Sequence, residues 1–189
     1  YKDNSYKIRA ENIYKSIVWD KIYSNEMNRY CEYIICSLFG IASPTHPILK
    51  TVWEKMHRNF QYCTSGRKDT DVFPRIFYPS LFVHQYPFLW FDFRNKHDKF
   101  ADYYICSINS TLSNRQYSID HSVTGIADKK YRFTTYNENC WGITAGDGPK
   151  GYDHYGEAEP ALADIPNEGM RGIDGTVFPH GPGGSFMYA

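Results

Sequence analysis

Residues 138–156 read ENCWGITAGDGPKGYDHYG, and this stretch decides how the rest of the chain is interpreted. It holds a tryptophan, several carboxylates, and four glycines ahead of Tyr155. Glycine loses the most conformational freedom on folding, so we predict neither regular helix nor regular strand here. Asp147, Gly148 and Pro149 predict a turn. Flat rings and hydrogen-bonding groups on a bent backbone are typical of a ligand-binding wall, and a rigid structural loop would fit the same residues.

The charge balance of the whole chain argues against one functional class. Its 189 residues suffice for one domain with a core, and 21 Lys plus Arg balance 21 Asp plus Glu. A formal net charge of zero argues against a protein that holds nucleic acid by neutralising phosphates. Aromatic residues make up 17% of the chain, which suits either an aromatic core or a cleft where sugar rings stack on side chains.

Metal binding and membrane insertion have no support in the sequence. The seven histidines show no HExxH spacing and the five cysteines include no CxxC pair, so we expect no metal site and no cofactor. An odd number of cysteines cannot pair completely within one chain, which favours buried free thiols. No apolar run is long enough to span a bilayer, so we expect no membrane partner.

The spacing of apolar residues predicts a mainly helical chain. A 3.6-residue stripe over 24–40 predicts one helix, 48–56 predicts a shorter one, and 96–120 predicts the longest. Residues 60–80 are polar and contain prolines, which predicts a loop. The aromatic segment 81–94 lacks clean alternation, so we predict short helices and loops with buried rings there.

Five blocks of the sequence, in this order, resemble the glucoamylase-like family, which includes bacterial endo-β-1,2-glucanases and a domain of cyclic β-1,2-glucan synthases. The blocks are HPILKTVWEKMHRN, FVHQYPFLWFDFR, YYICSINSTLSNRQYSID, ENCWGITAGDGPKGYDHYG and DGTVFPHGPGGS. WFDFR and WGITAGDGPKGY are the most specific parts. The resemblance implies part of an (α/α)6 toroid with long aromatic and Gly/Pro-rich loops. It also implies glucan hydrolysis and a periplasmic or secreted location.

The resemblance covers roughly residues 30–185 and only the central part of such a toroid. The family's amino-terminal hairpins, with an Asp-x-x-Glu carboxylate pair, have no counterpart here, and its final helices are missing. We therefore interpret residues 1–189 as a single partial domain that lacks its N-terminal and C-terminal hairpins. The chain is then a fragment, a degenerate paralogue, or one subunit whose partner chains complete the ring.

The resemblance also implies a catalytic residue. Family members carry a Glu twelve residues before the Pro of a Ser-Pro-Thr-His-Pro stretch, and Glu32 stands twelve residues before Pro44. Glycoside hydrolysis needs two carboxyl groups, so Glu32 is implied as the acid or base. The structural alternative is a solvated helix carboxylate. The second carboxyl group lies in the missing region or is Glu138, Asp147 or Asp92, although Asp92 is better explained as an ion pair with Arg94.

The implied ligand is a glucan oligosaccharide, and six residues are implied as its binding residues: Glu138, Trp141, Asp147, Tyr152, His84 and Gln85. The favoured function is a glycoside hydrolase segment that acts on β-linked glucan, above all β-1,2-glucan. In that case Glu32 should face the same cleft as Glu138 and Trp141. The alternatives are a carbohydrate-binding remnant without turnover and a structural subunit of a larger assembly.

Overall fold

The computed structural model describes residues 4–22, 28–63, 73–156 and 173–188. In these residues helices predominate and the strands are short, which confirms the prediction of a mainly helical chain. The elements, in chain order, are α1 Asn4–Ser16, α2 Trp19–Ile22, α3 Ile34–Ile41, α4 Thr51–Lys55, β1 Phe60–Cys63, β2 Phe73–Ile76, α5 Tyr103–Asp120, β3 Gly146–Gly148, β4 Gly151–Asp153 and α6 His180–Gly184. Short 3-10 helices occur at Leu81–His84, Tyr86–Leu89, Lys129–Tyr131 and Ser185–Tyr188.

The described residues fall into two compact units, which divide in sequence between Arg58 and Asn59. In the first unit, aromatic contacts join α1, α2 and α3. Trp19 stacks on Phe39 with ring centroids 6.2 Å apart, and Tyr14 packs edge-on against both rings. The Tyr14 hydroxyl also donates to the Phe39 carbonyl (2.8 Å). These contacts link the three helices, and Trp19 is the buried ring among the three.

The helix predicted over 24–40 is shorter in the structure. The start of that range lies outside the described residues, and α3 begins only at Ile34. Before it, the Tyr30 amide donates to the His57 carbonyl (2.8 Å), and the His57 amide donates to the Asn28 carbonyl (2.6 Å). Backbone groups that pair with a distant residue cannot take part in a helical ladder, so the apolar spacing overstates the helix.

The second unit opens with an antiparallel hairpin of β1 and β2, in which Phe60 lies opposite Ile76. The predicted loop over 60–80 is therefore wrong for these two strands. Each strand has only four residues and β2 contains Pro74, so neither shows the alternation that predicts a strand. A distant contact supports the hairpin instead, because Asn109 on α5 donates to the Pro74 carbonyl (2.7 Å).

The long helix α5 starts at Tyr103, although the sequence predicts a helix over 96–120. The carboxylate of Asp98 accepts hydrogen bonds from two backbone amides just ahead of the helix. Asp102 then caps the helix by accepting from the Ile105 amide (3.0 Å). Aspartate side chains that bond nearby amides compete with helix propagation and favour a helix start, which explains the later beginning.

The buried face of α5 combines Tyr103 and Cys106 with a larger number of small polar residues. Ile108 and Leu112, two of the apolar residues whose spacing predicted this helix, are only half-buried. The buried polar residues are Ser107, Asn109, Ser110, Asn114 and Ser118. Serine and asparagine can pair with backbone groups of irregular segments, so α5 is suited to hold loops in place.

Residues 81–94 form the predicted mixture of short helices and loops with packed rings. The Phe88 ring contacts Phe93 and Tyr188, with centroids 4.8 and 5.3 Å away. The Tyr188 hydroxyl donates to the carbonyl of His84. None of the helices in the described part of the chain is long and apolar enough to cross a membrane.

Candidate functional site

Residues 138–156, hereafter the glycine-rich segment, contain a hairpin formed by β3 and β4. Asp147 lies directly opposite Tyr152, and Pro149 and Lys150 form the connection. The predicted turn is thus confirmed one residue further along, while the prediction that no strand forms here is wrong. Directly opposed residues of an antiparallel pair lie on one face of the sheet, so the hairpin places a carboxylate beside an exposed aromatic ring. Gly151 has a φ of 99°, which only glycine adopts without strain.

Two glycines let this hairpin lie directly on buried aromatic rings. A Cβ atom at Gly148 would be 1.8 Å from the hydroxyl of Tyr155, and one at Gly146 would be 2.5 Å from the ring of Phe178. Tyr155 and Phe178 belong to a buried cluster in the second unit, together with Tyr136. Both positions therefore require glycine, because any side chain would push the hairpin away from the buried rings of Tyr155 and Phe178.

Trp141 and Glu138 lie ahead of the hairpin, on a tight turn. The side-chain oxygen of Asn137 accepts hydrogen bonds from two following amides, both at 2.9 Å. Arg115 on α5 donates from Nε to the Glu138 carbonyl (3.0 Å). The Glu138 side chain is exposed and the Trp141 side chain is half-buried. This short segment therefore offers two groups to a ligand. The Glu138 carboxylate can accept hydrogen bonds from hydroxyl groups, and the exposed part of the Trp141 ring provides a flat surface.

A cavity of about 290 Å³ lies beside the hairpin. Its lining residues are Lys150, Gly151, Tyr152, Asp153, Tyr155, Ile173 and Asp174. Carboxylates, an ammonium group and phenol hydroxyls are suited to a ligand with many hydroxyl groups. Of these residues the sequence indicated Tyr152 as a binding residue and Tyr155 as a further ring of the same wall. Asp153 directly follows Tyr152 in the sequence, which was a local signal for it, whereas nothing in the local pattern pointed to Asp174.

His84 and Gln85, two of the predicted binding residues, lie in the packed interior of the second unit. The Gln85 amide nitrogen donates to the Gly181 carbonyl (2.7 Å) and to the Ser185 hydroxyl (3.0 Å). Burial, assisted by the nearby charge of Arg75, lowers the pKa of His84 to about 3. These contacts give both side chains a role in packing, and their contact with glucan stays a prediction.

Glu32 belongs to the first unit and lies in the turn that precedes α3, not on a helix as predicted. Its side chain is half-buried. Within the described ranges its Oε2 atom is buried and has no hydrogen-bond partner. A buried carboxylate oxygen that lacks a protein donor is costly, and such costs are commonly found at functional sites. Glu32 lies in a turn and not on a helix, and its catalytic role stays a prediction.

Asp92 forms the ion pair with Arg94 that the sequence favours. The guanidinium donates from Nε to Asp92 Oδ1 (2.8 Å) and from a terminal nitrogen to Oδ2 (2.9 Å). The hydrogen bonds and charge of Arg94 hold the pKa of Asp92 well below its usual range. A carboxylate that remains ionised and paired is a poor proton donor, which weakens Asp92 as a second catalytic group.

Groups of three or more His, Cys, Asp or Glu side chains that could hold a metal ion do not occur in the part of the chain that the structure describes. Cys31, Cys36, Cys106 and Cys140 are free thiols, and Cys31 and Cys106 are buried as predicted. The side chains available at the glycine-rich segment include carboxylates, phenols, an indole, a lysine and the exposed imidazole of His154.

Replacing Gly142 with alanine should lower the free energy of unfolding by about 2–5 kcal/mol. Its φ of 118° strains any other residue by about 1–2 kcal/mol, and a Cβ atom 2.5 Å from Pro182 adds about 1–3 kcal/mol of overpacking. Gly151→Ala, with a φ of 99° in open space, should show only the first effect. Gly183→Ala on α6, also in open space, should be neutral or slightly stabilising. Urea unfolding of the three variants tests this order, and equal losses at Gly142 and Gly151 would contradict it.

A model of the family described as "Putative glucoamylase" matches residues 23–189 of this chain. Among proteins with curated functions, a search finds no match. Three solved structures are similar. A putative glucoamylase from Bacteroides uniformis ATCC 8492 is 26% identical, with a TM-score of 0.62, over 82% of this chain and 42% of that one.

An endo-β-1,2-glucanase from Chitinophaga pinensis, in a complex with sophorotriose and glucose, is 22% identical with a TM-score of 0.62, over 80% of this chain and 40% of that one. A putative glucoamylase from Bacteroides fragilis NCTC 9343 is 24% identical with a TM-score of 0.59, over 78% and 39%. These two likenesses show a shared fold. The chain spans about two fifths of the length of each of the three structures.

Proposed function

The chain belongs to the putative glucoamylase family, and from this membership we propose that it is a glycoside hydrolase segment that acts on β-linked glucan. The family match over residues 23–189 is the observation that carries the proposal. We propose β-1,2-glucan as the substrate, because one protein of similar fold is an endo-β-1,2-glucanase. The finer parts of the proposal are an (α/α)6 toroid to which this chain contributes helices, and a periplasmic or secreted location.

In this proposal Glu32 transfers the proton. Glycoside hydrolases use two carboxyl groups that flank the glycosidic bond, and one of them protonates the leaving oxygen. The Oε2 atom of Glu32, buried and without a protein partner in the described ranges, supports this role because such unpaired buried polar atoms are commonly found at functional sites. The second carboxyl group would come from Glu138, Asp147 or protein outside this chain.

The glycine-rich segment would supply a wall that binds the glucan. Tyr152 is exposed beside Asp147, so a sugar ring could rest on the phenol while its hydroxyls donate to the carboxylate. Glu138 and Trp141 offer the same pair of chemistries at the other end of the segment. The cavity beside Asp153 would accept a further polar part of the ligand.

A carbohydrate-binding segment without turnover is the second candidate. The observation that favours it is length, because the chain spans about two fifths of the similar structures. Binding needs the aromatic and polar wall, whereas hydrolysis also needs two carboxyl groups about 5–10 Å apart. A structural subunit is a third candidate, favoured by α1, which buries no residue and exposes Tyr6, Ile8 and Ile13.

Incubation of the purified chain with linear β-1,2-glucan tests the proposal. We expect new reducing ends with this substrate and none with β-1,3- or β-1,4-glucan of similar length. Calorimetric titration with sophorotriose separates the candidates. Binding without new reducing ends would favour the second candidate, and the absence of both would contradict the proposal and favour the third.

A further inference from the structure

Residues 142–145 connect Trp141 to the hairpin, and their backbone is buried without belonging to a helix or strand. Ile143 and Thr144 are fully buried. Buried backbone N–H and C=O groups must find partners, and among the described residues this stretch has no sheet neighbour to provide them. The partners of these four residues therefore determine where the groups on either side of the stretch lie.

Asn114, on the buried face of α5, forms hydrogen bonds with both the backbone amide and the backbone carbonyl of Ile143. Its side-chain oxygen accepts from the Ile143 amide (2.9 Å), and its side-chain nitrogen donates to the Ile143 carbonyl (2.9 Å). Asn114 is itself fully buried. The side-chain amide of asparagine carries an acceptor oxygen next to a donor nitrogen, so it can pair with the N–H and the C=O of one residue at the same time. Aspartate keeps only the acceptor when ionised, and an aliphatic side chain offers neither.

Further bonds hold the same stretch in the second unit. The Thr144 hydroxyl accepts from the Phe82 amide (3.1 Å), and the Gly142 carbonyl accepts from the Phe178 amide (3.0 Å). These partners lie on irregular or short elements, whereas Asn114 lies within an 18-residue helix. Groups supported by a regular element are held more rigidly than groups supported by loops. The helix is therefore the rigid reference for the segment.

We propose that Asn114 is a positioning residue for ligand binding by the glycine-rich segment. Its two hydrogen bonds hold the Ile143 backbone against α5. Trp141 precedes Ile143 in the chain and the Asp147–Tyr152 pair follows it, so these bonds set the distance between the two groups. A glucan that contacts both groups binds more tightly when the segment is already ordered, because ordering a loose loop on binding would lower the affinity. The inference rests on the proposed function for its ligand, and its structural part is tested independently of that ligand.

Asn114→Asp is the informative variant because its effect depends on pH. The ionised carboxylate retains the bond from the Ile143 amide but faces the Ile143 carbonyl with negative charge. The protonated acid restores a donor, and burial favours protonation by raising the pKa of a carboxyl group. We expect sophorotriose to bind about 10- to 100-fold more weakly than to the wild type at pH 8, as for a lost buried hydrogen bond. Near pH 5 the affinity should return toward that of the wild type measured at the same pH.

Asn109→Asp is the matched control. Asn109 is a buried asparagine on the same helix, and it donates to the Pro74 carbonyl in β2 (2.7 Å). This variant should perturb α5 comparably while leaving the glycine-rich segment in place, so its sophorotriose affinity should stay within about threefold of the wild type, the effect of less than about 1 kcal/mol. Equal losses of affinity in both variants would overturn the proposal, since the role would then be general stability.

Amide hydrogen exchange provides a readout that needs no ligand. At pH 8, peptides covering 138–153 should exchange faster in Asn114→Asp than in the wild type or in Asn109→Asp. Unchanged exchange in these peptides would overturn the proposal whatever the binding result. If the wild type neither binds nor cleaves glucan, the proposed function fails, and the exchange experiment still decides whether Asn114 positions the segment.

Discussion

Glu32→Gln is expected to lower the rate of β-1,2-glucan hydrolysis by about 10²- to 10⁴-fold, the usual contribution of a general acid or base. Glutamine has nearly the same size as glutamate but cannot donate or accept the proton that the reaction moves. The half-buried side chain has one carboxylate oxygen without a hydrogen-bond partner in the described ranges, so loss of its charge should not destabilise the protein. The measurement is kcat from new reducing ends, with thermal unfolding recorded in parallel.

Glu11→Gln is the control for this experiment. Glu11 is an exposed glutamate on α1, in the same unit, and its contact with Lys7 is a long surface ion pair of 4.0 Å. Such pairs contribute little, so this variant should keep both activity and stability. Full activity in Glu32→Gln would remove Glu32 from the mechanism, and the acid would then have to be sought at Glu138, Asp147 or outside this chain.

The helical character of the chain follows from its sequence, but the ends of its elements do not. Apolar spacing located α3, α4 and α5, since burial of one face dictates a 3.6-residue period. Apolar spacing does not reveal individual hydrogen bonds. It therefore missed the backbone hydrogen bond from Tyr30 to His57, which delays the start of α3, and the Asp102 cap at the start of α5. The β1–β2 hairpin was missed for a related reason, since its strands are too short to carry a pattern.

The candidate site divides in the same way. The glycine-rich segment was recognisable because Trp141, Asp147 and Tyr152 lie close together in sequence. The groups that hold it, such as Asn114, carry no local signal, since a buried asparagine on a helix resembles an exposed one until its partner is known. The burial of His84 likewise carried no local signal, and its role as a binding residue stays a prediction.

The burial of His84 makes the stability of the second unit sensitive to acid. An ordinary histidine has a pKa near 6.5, and burial with the nearby Arg75 charge lowers the pKa of His84 to about 3. Between these two pH values the unfolded chain binds a proton that the folded chain does not. The stability contributed by the neutral imidazole is therefore fully present above about pH 6.5 and is lost as the pH falls toward 3.

We expect the free energy of unfolding to fall by about 2 kcal/mol between pH 6.5 and pH 5, at about 1.4 kcal/mol per pH unit. Urea unfolding from pH 7 to pH 5 measures this slope before most carboxylates titrate. His84→Gln cannot take up the proton, so its curve should be flatter over this range even if its stability at pH 7 is lower. His97→Gln, at an exposed position, should keep the wild-type slope. An unchanged slope in His84→Gln would show that the imidazole is protonated in the folded protein, and hence that it is accessible to water and to a polar ligand after all.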